Sequence, residues 1–168
     1  MTTHEREHEH ELLGSEATLE LDEDRFAYAG KFRVSGGKAV TRERDEIVAA
    51  LSFSHDRADS EAVRVRYFAV RVDRRGKGIG SELLDYVAER LLERYDRVRI
   101  SVNNPFSYVA ARKAGFGWTG DETGIAEILM ERPCETDVER HEEALRIFAE
   151  RDLSAEEEAY VRRKLEEE

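Results

Sequence analysis

The chain contains very little cysteine or proline and has no long apolar run. Of its 168 residues, one is cysteine and two are proline. No apolar stretch approaches the ~20 residues that a membrane-spanning helix needs. Cys134 alone can form neither an intramolecular disulfide nor a cysteine-based zinc site. No apolar segment follows Met1, so we expect no signal peptide, no membrane association and a cytoplasmic location.

Basic residues are outnumbered, and lysine is scarce. The chain has 27 Lys and Arg against 38 Asp and Glu, a net charge of -11, and only five of its basic residues are lysine. This balance argues against binding to a nucleic-acid backbone. Apolar runs between the charged residues argue against disorder throughout. Dispersed carboxylates with few lysines resemble the composition of halophilic proteins, from salt-loving microbes. A basic protein partner is the alternative explanation.

The two ends of the chain differ from its middle. Residues 1–16 alternate His with Glu and have no apolar anchor, so we expect a disordered charged tail and no metal site. Residues 17–133 are predicted to form one domain. Residues 134–168 are predicted to form a helical extension, in which Ser154 and Glu157 make a capping box. The extension could pack on the domain, or it could serve a partner, including a second copy of the chain in a homodimer.

The middle of the chain alternates strand and helix patterns. A hairpin is predicted from Lys38–Arg44 and Ile47–His55, and a further strand from Ala62–Val72. In that strand, alternation places four side chains on one face: Arg64, Arg66, Phe68 and Val70. Apolar residues at helical spacing follow from Ile79, and a strand is predicted over Arg97–Val102.

The next segment has clear helix boundaries. Asn104 is suited to an N-cap, with Pro105 at the first helical position and Gly115 just past the end. Two further strands, Phe116–Thr119 and Ile125–Met130, are predicted, with Gly120–Gly124 as the turn between them.

A glycine-rich turn lies between the Ala62–Val72 strand and the helix that follows. Its glycines lack the Cβ atoms that would keep a pyrophosphate away from the backbone, and the first amides of the helix are available as donors. Four basic residues surround the turn in an otherwise acidic chain: Arg71, Arg74, Arg75 and Lys77. The spacing does not fit a P-loop, because Gly78 follows Lys77. It does not fit the dinucleotide fingerprint either, because position 81 is serine.

Two motifs, in order, resemble the GNAT superfamily of N-acetyltransferases. Residues Arg75–Gly80 are similar to its R/Q-x-x-G-x-G/A signature, and Asn104 with Ala110–Phe116 is similar to its later N…A…K-x-G-F segment. The order of strands and helices also corresponds over residues 36–132. The resemblance implies a mixed α/β fold, with a mostly antiparallel central sheet, flanking helices and one splayed strand pair.

The same resemblance implies an acetyl-CoA-dependent N-acetyltransferase. Such an enzyme transfers acetyl directly to an amine of a small molecule or protein, without an acyl-enzyme, so Cys134 would be a bystander. Acetyl-CoA would be held by the strand, the loop and the later helix start: Phe68, Ala69, Val70, Arg75, Gly76, Lys77, Gly78, Ile79, Gly80, Ser81 and Asn104. A backbone N–H near Val70 would stabilise the oxyanion.

The catalytic residues are where the match fails. Many family members have a tyrosine that acts as an acid at the position where this chain has Ala111. Tyr108, one helical turn earlier, is therefore a candidate acid; the alternatives are that Tyr108 serves packing or that water supplies the proton. His55 and Glu61 are candidate bases, with surface polar roles as the alternative.

Many family members also have a glutamate on the strand before the loop, where this chain has Arg64 and Arg66. If these arginines face the acceptor, they favour one that carries a carboxylate or phosphate; otherwise they pair with surface acids. The missing tyrosine and glutamate also leave a second hypothesis, a non-catalytic module that binds or senses acyl-CoA.

Overall fold

The computed structural model describes residues 8–124, 126–134 and 141–148. It divides into two compact units, Met1–Val98 and Arg99–Glu168. The strands form a mostly antiparallel sheet: β1 (Glu9–Leu13), β2 (Gly37–Glu43), β3 (Glu46–His55), β4 (Ala62–Val70), β5 (Arg97–Val102), β6 (Gly117–Gly124) and β7 (Glu127–Arg132). The α-helices are α1 (Ile79–Leu91), α2 (Pro105–Lys113) and α3 (His141–Phe148). The mixed α/β fold class is confirmed, while the splay of one strand pair stays a prediction.

In the first unit, β1 to β4 follow one another in the sheet and pair antiparallel. The β2–β3 hairpin turns through Arg44 and Asp45, whose φ angles are 53° and 72°. Two left-handed residues in a two-residue loop match the twist of antiparallel strands. The predicted hairpin is therefore confirmed, with its turn one residue earlier than expected.

Different elements cover the two faces of this part of the sheet. On one face, Val40, Ala50 and Ala69 pack against apolar residues of the segment between β1 and β2: Leu19, Leu21, Phe26, Ala29 and Phe32. That segment contains a short 3-10 helix, Ala29–Arg33. Helix α1 contacts all four strands and buries its apolar stripe. The helix predicted after the glycine turn is confirmed.

The N-terminal segment is more ordered than its composition indicates. Glu9–Leu13 forms β1 on the edge of β2, and His10 Nδ1 lies 2.8 Å from Thr41 Oγ1. The prediction of a disordered tail is wrong for these residues, because their main chain pairs with β2 and Leu13 packs against the apolar core. Residues 1–7 lie outside the described part of the chain.

A bulge interrupts the β3–β4 ladder at Arg66. Ser52 lies opposite Tyr67, while the next residue, Phe53, lies opposite Val65. Arg66 is therefore an extra residue in β4, without a partner across the ladder. Residues that oppose each other share a face of the sheet, so Val65 lies on the face of Phe53.

The bulge changes which β4 side chains share a face. Arg64 lies opposite Ser54 and is therefore on the same face of the sheet as Tyr67. Regular alternation would instead place Arg64 on the face of Phe68. The predicted alternation is therefore correct from Tyr67 to Val70 and wrong before the bulge. A uniform period of two cannot reveal an inserted residue.

In the second unit, α2 has the boundaries that the sequence predicts. Asn104 Oδ1 accepts a hydrogen bond from the Ser107 backbone N–H at 2.9 Å, and Pro105 is the first helical residue. The helix ends at Lys113 with Ala114 as its C-cap, and Gly115 follows with a φ of 90°. These caps depend on neighbouring residues alone, so sequence was sufficient to locate them.

The strands β6 and β7 pair antiparallel, but not with the predicted turn. Strand β6 continues to Gly124. Between Trp118 and Glu122 it has two residues more than the opposing stretch of β7, and Gly120 there has a φ of 97°. The prediction of a turn over Gly120–Gly124 is wrong, because these residues belong to β6 and Gly120 lies at a bulge within that strand.

Helix α3 contacts β7 and buries Ala144, Ile147 and Phe148. Its packing within its own unit agrees with the alternative in which the extension packs on the domain. The predicted capping box of Ser154 and Glu157, the apolar position Val138 and the rest of the extension lie outside the described residues.

Candidate active site

The glycine turn lies at the C-terminal end of β4, where a short 3-10 helix over Val72–Arg74 leads into it. Gly76 and Gly78 have φ angles of 80° and 82°, a conformation that residues with a Cβ rarely adopt. A Cβ built at either position meets no atom within 4 Å. The turn therefore has an open outer surface that a ligand can approach.

The start of α1 supplies hydrogen-bond donors at this turn. Gly78 is the N-cap, and its carbonyl accepts from the Glu82 N–H at 3.1 Å and from Ser81 Oγ at 3.1 Å. Among the described residues, the N–H groups of Ile79, Gly80 and Ser81 have no backbone acceptor. Unsatisfied amides at the positive end of a helix dipole form an anion site.

The four basic residues around the turn separate into two pairs. Arg71, whose side chain is only 6% exposed, is held by Asp73 at 2.6 Å and by Glu46 at 3.4 Å. Arg74 is held by Glu43 at 3.0 Å and by Asp73 at 3.3 Å. These pairs raise the pKa of both arginines, the largest cause being the hydrogen bond that Arg71 donates to Asp73 and the one that Arg74 donates to Glu43. Both charges are thus neutralised locally.

The other pair remains available to a ligand. Arg75 and Lys77 are exposed, and neither has an acidic partner within the described parts of the chain. The sequence predicts one dense cluster of four cations at this turn. The structure leaves two of them to interact with an external anion.

Gly80 has a different role from the other two glycines. A Cβ at this position would lie 2.8 Å from Phe68 Cζ and 3.0 Å from Val70 Cγ2. Gly80 therefore allows α1 to pack closely on Phe68 and Val70 of β4, because it has no side chain to separate the helix from the strand.

The three predicted binding residues of β4 are Phe68, Ala69 and Val70. They lie opposite Leu51, Ala50 and Ala49 of β3, respectively. Ala69 is buried in the apolar core, while Phe68 and Val70 pack against α1 at Gly80. Their side chains are thus committed to packing, so contacts to a ligand from this stretch would use the backbone.

Asn104, in the second unit, is already engaged in capping α2. Besides the bond to the Ser107 N–H, its Nδ2 lies 3.2 Å from Asn103 Oδ1 and 3.2 Å from Ser107 Oγ. Its predicted contact with the cosubstrate stays a prediction.

Tyr108, the candidate acid, is a buried residue of α2. Its side chain is only 2% exposed, and its ring meets that of Phe148 edge-on at 5.8 Å between centroids. This contact supports the packing alternative, and the acid role stays a prediction. Cys134 Sγ lies 3.6 Å from the Trp118 carbonyl oxygen, within the same unit.

The candidate bases His55 and Glu61 flank the β3–β4 connection. His55 Nε2 lies 3.2 Å from the Tyr95 hydroxyl, and both His55 and Glu61 are exposed. His55 opposes Val63, seven residues before Val70. That separation is roughly 23 Å along the strand, so both candidates lie at the end of β4 that is far from the glycine turn.

An aromatic and basic cluster near the bulge was not singled out from the sequence. The rings of Tyr28 and Tyr67 lie 5.5 Å apart, and Lys31 Nζ is 5.7 Å from the Tyr67 ring centroid. These residues are separated along the chain and share no motif, so only the folded arrangement brings them together.

Two further features are absent from the described residues, 8–124, 126–134 and 141–148. Within these ranges, no group of three or more His, Cys, Asp and Glu is arranged to hold a metal ion. Nor does any described helix combine the length and apolar character that crossing a bilayer requires.

Comparison with solved structures returns acetyltransferases. Nourseothricin acetyltransferase is 22% identical, with a TM-score of 0.48 over 58% of this chain and 65% of that protein. An N-acetyltransferase from Staphylococcus aureus Mu50 is 21% identical, with a TM-score of 0.49 over 56% of this chain and 66% of that protein. The matched region is thus less than two thirds of either protein. A GNAT family acetyltransferase from Elizabethkingia anophelis is 16% identical, with a TM-score of 0.56 over 74% of this chain and 97% of that one.

The structural likeness to the Elizabethkingia protein supports the fold. A comparison with functionally curated proteins finds no match. The family model described as acetyltransferase (GNAT) family matches residues 3–116, well over half of the chain. The match begins before residue 17, where the sequence patterns predict the domain to start, and it includes β1 and the glycine turn. The chain belongs to the acetyltransferase (GNAT) family.

Proposed function

We propose that this protein is an acetyl-CoA-dependent N-acetyltransferase that transfers an acetyl group directly to an amine of a small molecule or protein. The observation that carries the proposal is the turn before α1. It combines unsatisfied amides at Ile79, Gly80 and Ser81 with two exposed cations, Arg75 and Lys77. Family membership adds support, and the Elizabethkingia neighbour is described with acetyl-CoA bound.

The residues of the turn fit the pyrophosphate of CoA. Gly76 and Gly78 leave the outer surface open, the helix amides donate hydrogen bonds, and Arg75 and Lys77 supply charge. The thioester supplies an activated acyl group. The chain must then hold the amine close to it and accept the proton that the amine loses as the C–N bond forms and the C–S bond breaks. His55, Glu61 and Tyr108 remain the candidates for proton transfer.

The test measures binding and turnover separately. Calorimetry with acetyl-CoA and with CoA, at low and at molar salt, should show micromolar-range binding. Thiol release with a panel of amines should then show turnover. Absence of heat under both salt conditions would contradict the proposal. Binding without thiol release from any amine would instead favour the alternative of a non-catalytic acyl-CoA sensor.

We further propose that the protein works in the cytoplasm of a salt-loving microbe. The support is its net charge of -11, with five lysines among 27 basic residues. Dispersed carboxylates repel one another at low ionic strength, and salt screens that repulsion. The midpoint of thermal unfolding should therefore rise from 0.1 M to molar KCl. A midpoint that is unchanged or lower in molar KCl would contradict the proposal.

A further inference from the structure

The bulge in β4 presents a cation without an acidic partner. The Arg66 guanidinium donates to Ser54 Oγ at 2.8 Å through Nε and to the His55 carbonyl oxygen at 2.6 Å through Nη2. Both acceptors are neutral. Across the described residues, no carboxylate lies within ion-pair distance of Arg66. Its donors are held in position while its charge remains uncompensated.

The surroundings of Arg66 increase the positive potential there. Arg57 and Arg64 are close enough to lower the pKa of Arg66, adding to the larger effect of its partial desolvation. Asp56 acts in the opposite direction. Arg57, Arg64 and Arg66 thus place positive charge close together in a chain whose overall charge is -11. A local reversal of sign in an acidic protein attracts anions.

A second cation and a second aromatic ring lie around Tyr67, the residue that follows Arg66 in β4. Lys31 Nζ lies over the ring of Tyr67, and that ring also meets Tyr28, which is 50% exposed. Lys31 is exposed and has no acidic partner in the described part of the chain. Its neighbour Arg33, by contrast, is paired with Glu20 at 3.1 Å and with Glu23 at 3.6 Å.

A buried hydroxyl on β3, that of Ser52, also lies beside the bulge. Ser52 lies opposite Tyr67 at the bulge and is 9% exposed. Its Oγ is buried and has no hydrogen-bond partner among the described residues. Buried polar atoms without partners are uncommon in folded proteins. One such hydroxyl therefore lies on β3 directly across from Tyr67.

The bulge is also suitably placed relative to the glycine turn. Arg66 precedes Val70 by four residues, which is roughly 13 Å along the strand. If the acyl group lies at the Val70 backbone, as the family resemblance implies, an acceptor that extends from it along β4 toward Arg66 would meet the cluster. The cluster therefore lies on the same strand as the expected position of the acyl group.

From these observations we infer that Arg66, Lys31, Tyr28 and Tyr67 form an acceptor subsite for amines that also carry an anionic group, a carboxylate or a phosphate. The inference rests on the proposed acetyltransferase function. The planar guanidinium suits bidentate binding of either oxyanion. The aromatic rings provide an apolar wall beside it. The direct pairing of Arg66 with surface acids, the alternative left open by the sequence, does not occur among the described residues.

The test uses the full chain and matched acceptors. Thiol release from acetyl-CoA is measured with β-alanine against β-alaninamide, tyrosine against tyrosinamide, phosphoethanolamine against ethanolamine, and spermidine as a polycation. We expect the anionic member of at least one pair to have the higher kcat/KM. The carboxylate and phosphate pairs identify which oxyanion is preferred. Preference for spermidine or for the neutral members would overturn the inference.

Variants connect the preference to the cluster. Arg66→Gln and Lys31→Gln should each reduce the ratio of kcat/KM between anionic and neutral members, for Arg66→Gln by about tenfold. Arg33→Gln removes an equal charge that is already paired and should leave the ratio unchanged. An equal loss for both members of a pair, or the same change in Arg33→Gln, would overturn the inference.

Acetyl-CoA binding separates failure of this inference from failure of the proposed function. Calorimetry should show that wild type and Arg66→Gln bind acetyl-CoA alike. If acetyl-CoA binds and only neutral or cationic amines are turned over, the inference is wrong while the proposed function stands. If acetyl-CoA does not bind, the proposed function fails and the inference fails with it.

Discussion

Gly80 of α1 lies directly against Phe68 of β4, so a Cβ at position 80 would come within 2.8 Å of the Phe68 ring. The outer glycines of the turn, Gly76 and Gly78, have no such neighbour. One glycine motif therefore serves two purposes. Gly80 sets the packing distance between helix and strand, and the other two set the backbone conformation of the turn.

We expect Gly80→Ala to lower the free energy of unfolding by about 1–3 kcal/mol, because the added methyl overpacks the contact with Phe68. Chemical denaturation measures this loss. Gly30→Ala is the control, because a Cβ there meets nothing within 4 Å. Combining Gly80→Ala with Phe68→Leu should recover part of the loss. Strictly additive losses would show that the ring contact is not the cause.

Charge removal at Arg75 and Lys77 should weaken acetyl-CoA binding without destabilising the fold. Both side chains are exposed and have no acidic partner in the described ranges, so their loss breaks no internal contact. We expect Arg75→Gln with Lys77→Gln to reduce affinity at least tenfold, since charged hydrogen bonds contribute about 1.5–3 kcal/mol each. Calorimetry provides the affinity, and thermal unfolding provides the stability.

The matched control for that prediction is the adjacent residue, Arg74. It is paired with Glu43 and Asp73, so Arg74→Gln should lower stability more than the double variant does. Its effect on acetyl-CoA affinity should be the smaller of the two. The reverse order would show that the ion pairs seen around the turn do not decide which cation meets the ligand.

Acid should weaken the ion pairs that support the turn. The hydrogen bond from Arg74 lowers the pKa of Glu43, and the one from Arg71 lowers the pKa of Asp73. Because both pKa values are lower in the folded protein than in the unfolded chain, where they are about 4, the ion pairs stabilise the fold fully at pH values above about 4. This stabilisation is lost as the pH falls further and the two carboxylates are protonated in the folded protein. Glu43→Gln with Asp73→Asn should therefore flatten the dependence of the unfolding midpoint on pH below about 5. An unchanged slope would contradict the assignment.

His10 should make the attachment of β1 sensitive to milder acid. Burial lowers the pKa of His10, whose ring lies against Tyr86 and whose Nδ1 meets Thr41. As the pH falls, His10 is therefore protonated in the unfolded chain before it is protonated in the folded protein. The free energy of unfolding thus decreases as the pH drops below about 6.5. His10→Gln should reduce the slope of the unfolding midpoint between about pH 5 and 7. Equal slopes in wild type and variant would exclude His10 as the cause.

Features encoded by neighbouring residues could be predicted from the sequence. The cap at Asn104 and Pro105 needs only the next few residues, and the same is true of the β2–β3 turn. The glycine turn before α1 was likewise located correctly, because glycines next to a helical pattern indicate a helix start with open amides.

Features that depend on residues distant in the chain could not be predicted from the sequence. The bulge at Arg66 arises from the register of β4 against β3, and a regular alternation conceals it. Strand β1 exists because the edge of β2 offers main-chain partners and the apolar core offers a contact for Leu13. Tyr108 was a candidate acid by position along α2, and only the packed structure places its ring against Phe148.

From the sequence, the fold class followed from the resemblance of two motifs to a family. The glycine turn before α1 could be located because a glycine turn and its helix start depend on neighbouring residues. The tertiary structure decided which of the four cations there remain available. Glu43 neutralises Arg74 across 31 positions of sequence, while Arg75 beside it stays exposed. Electrostatic pairing depends on distance in space, and residue order does not report that distance.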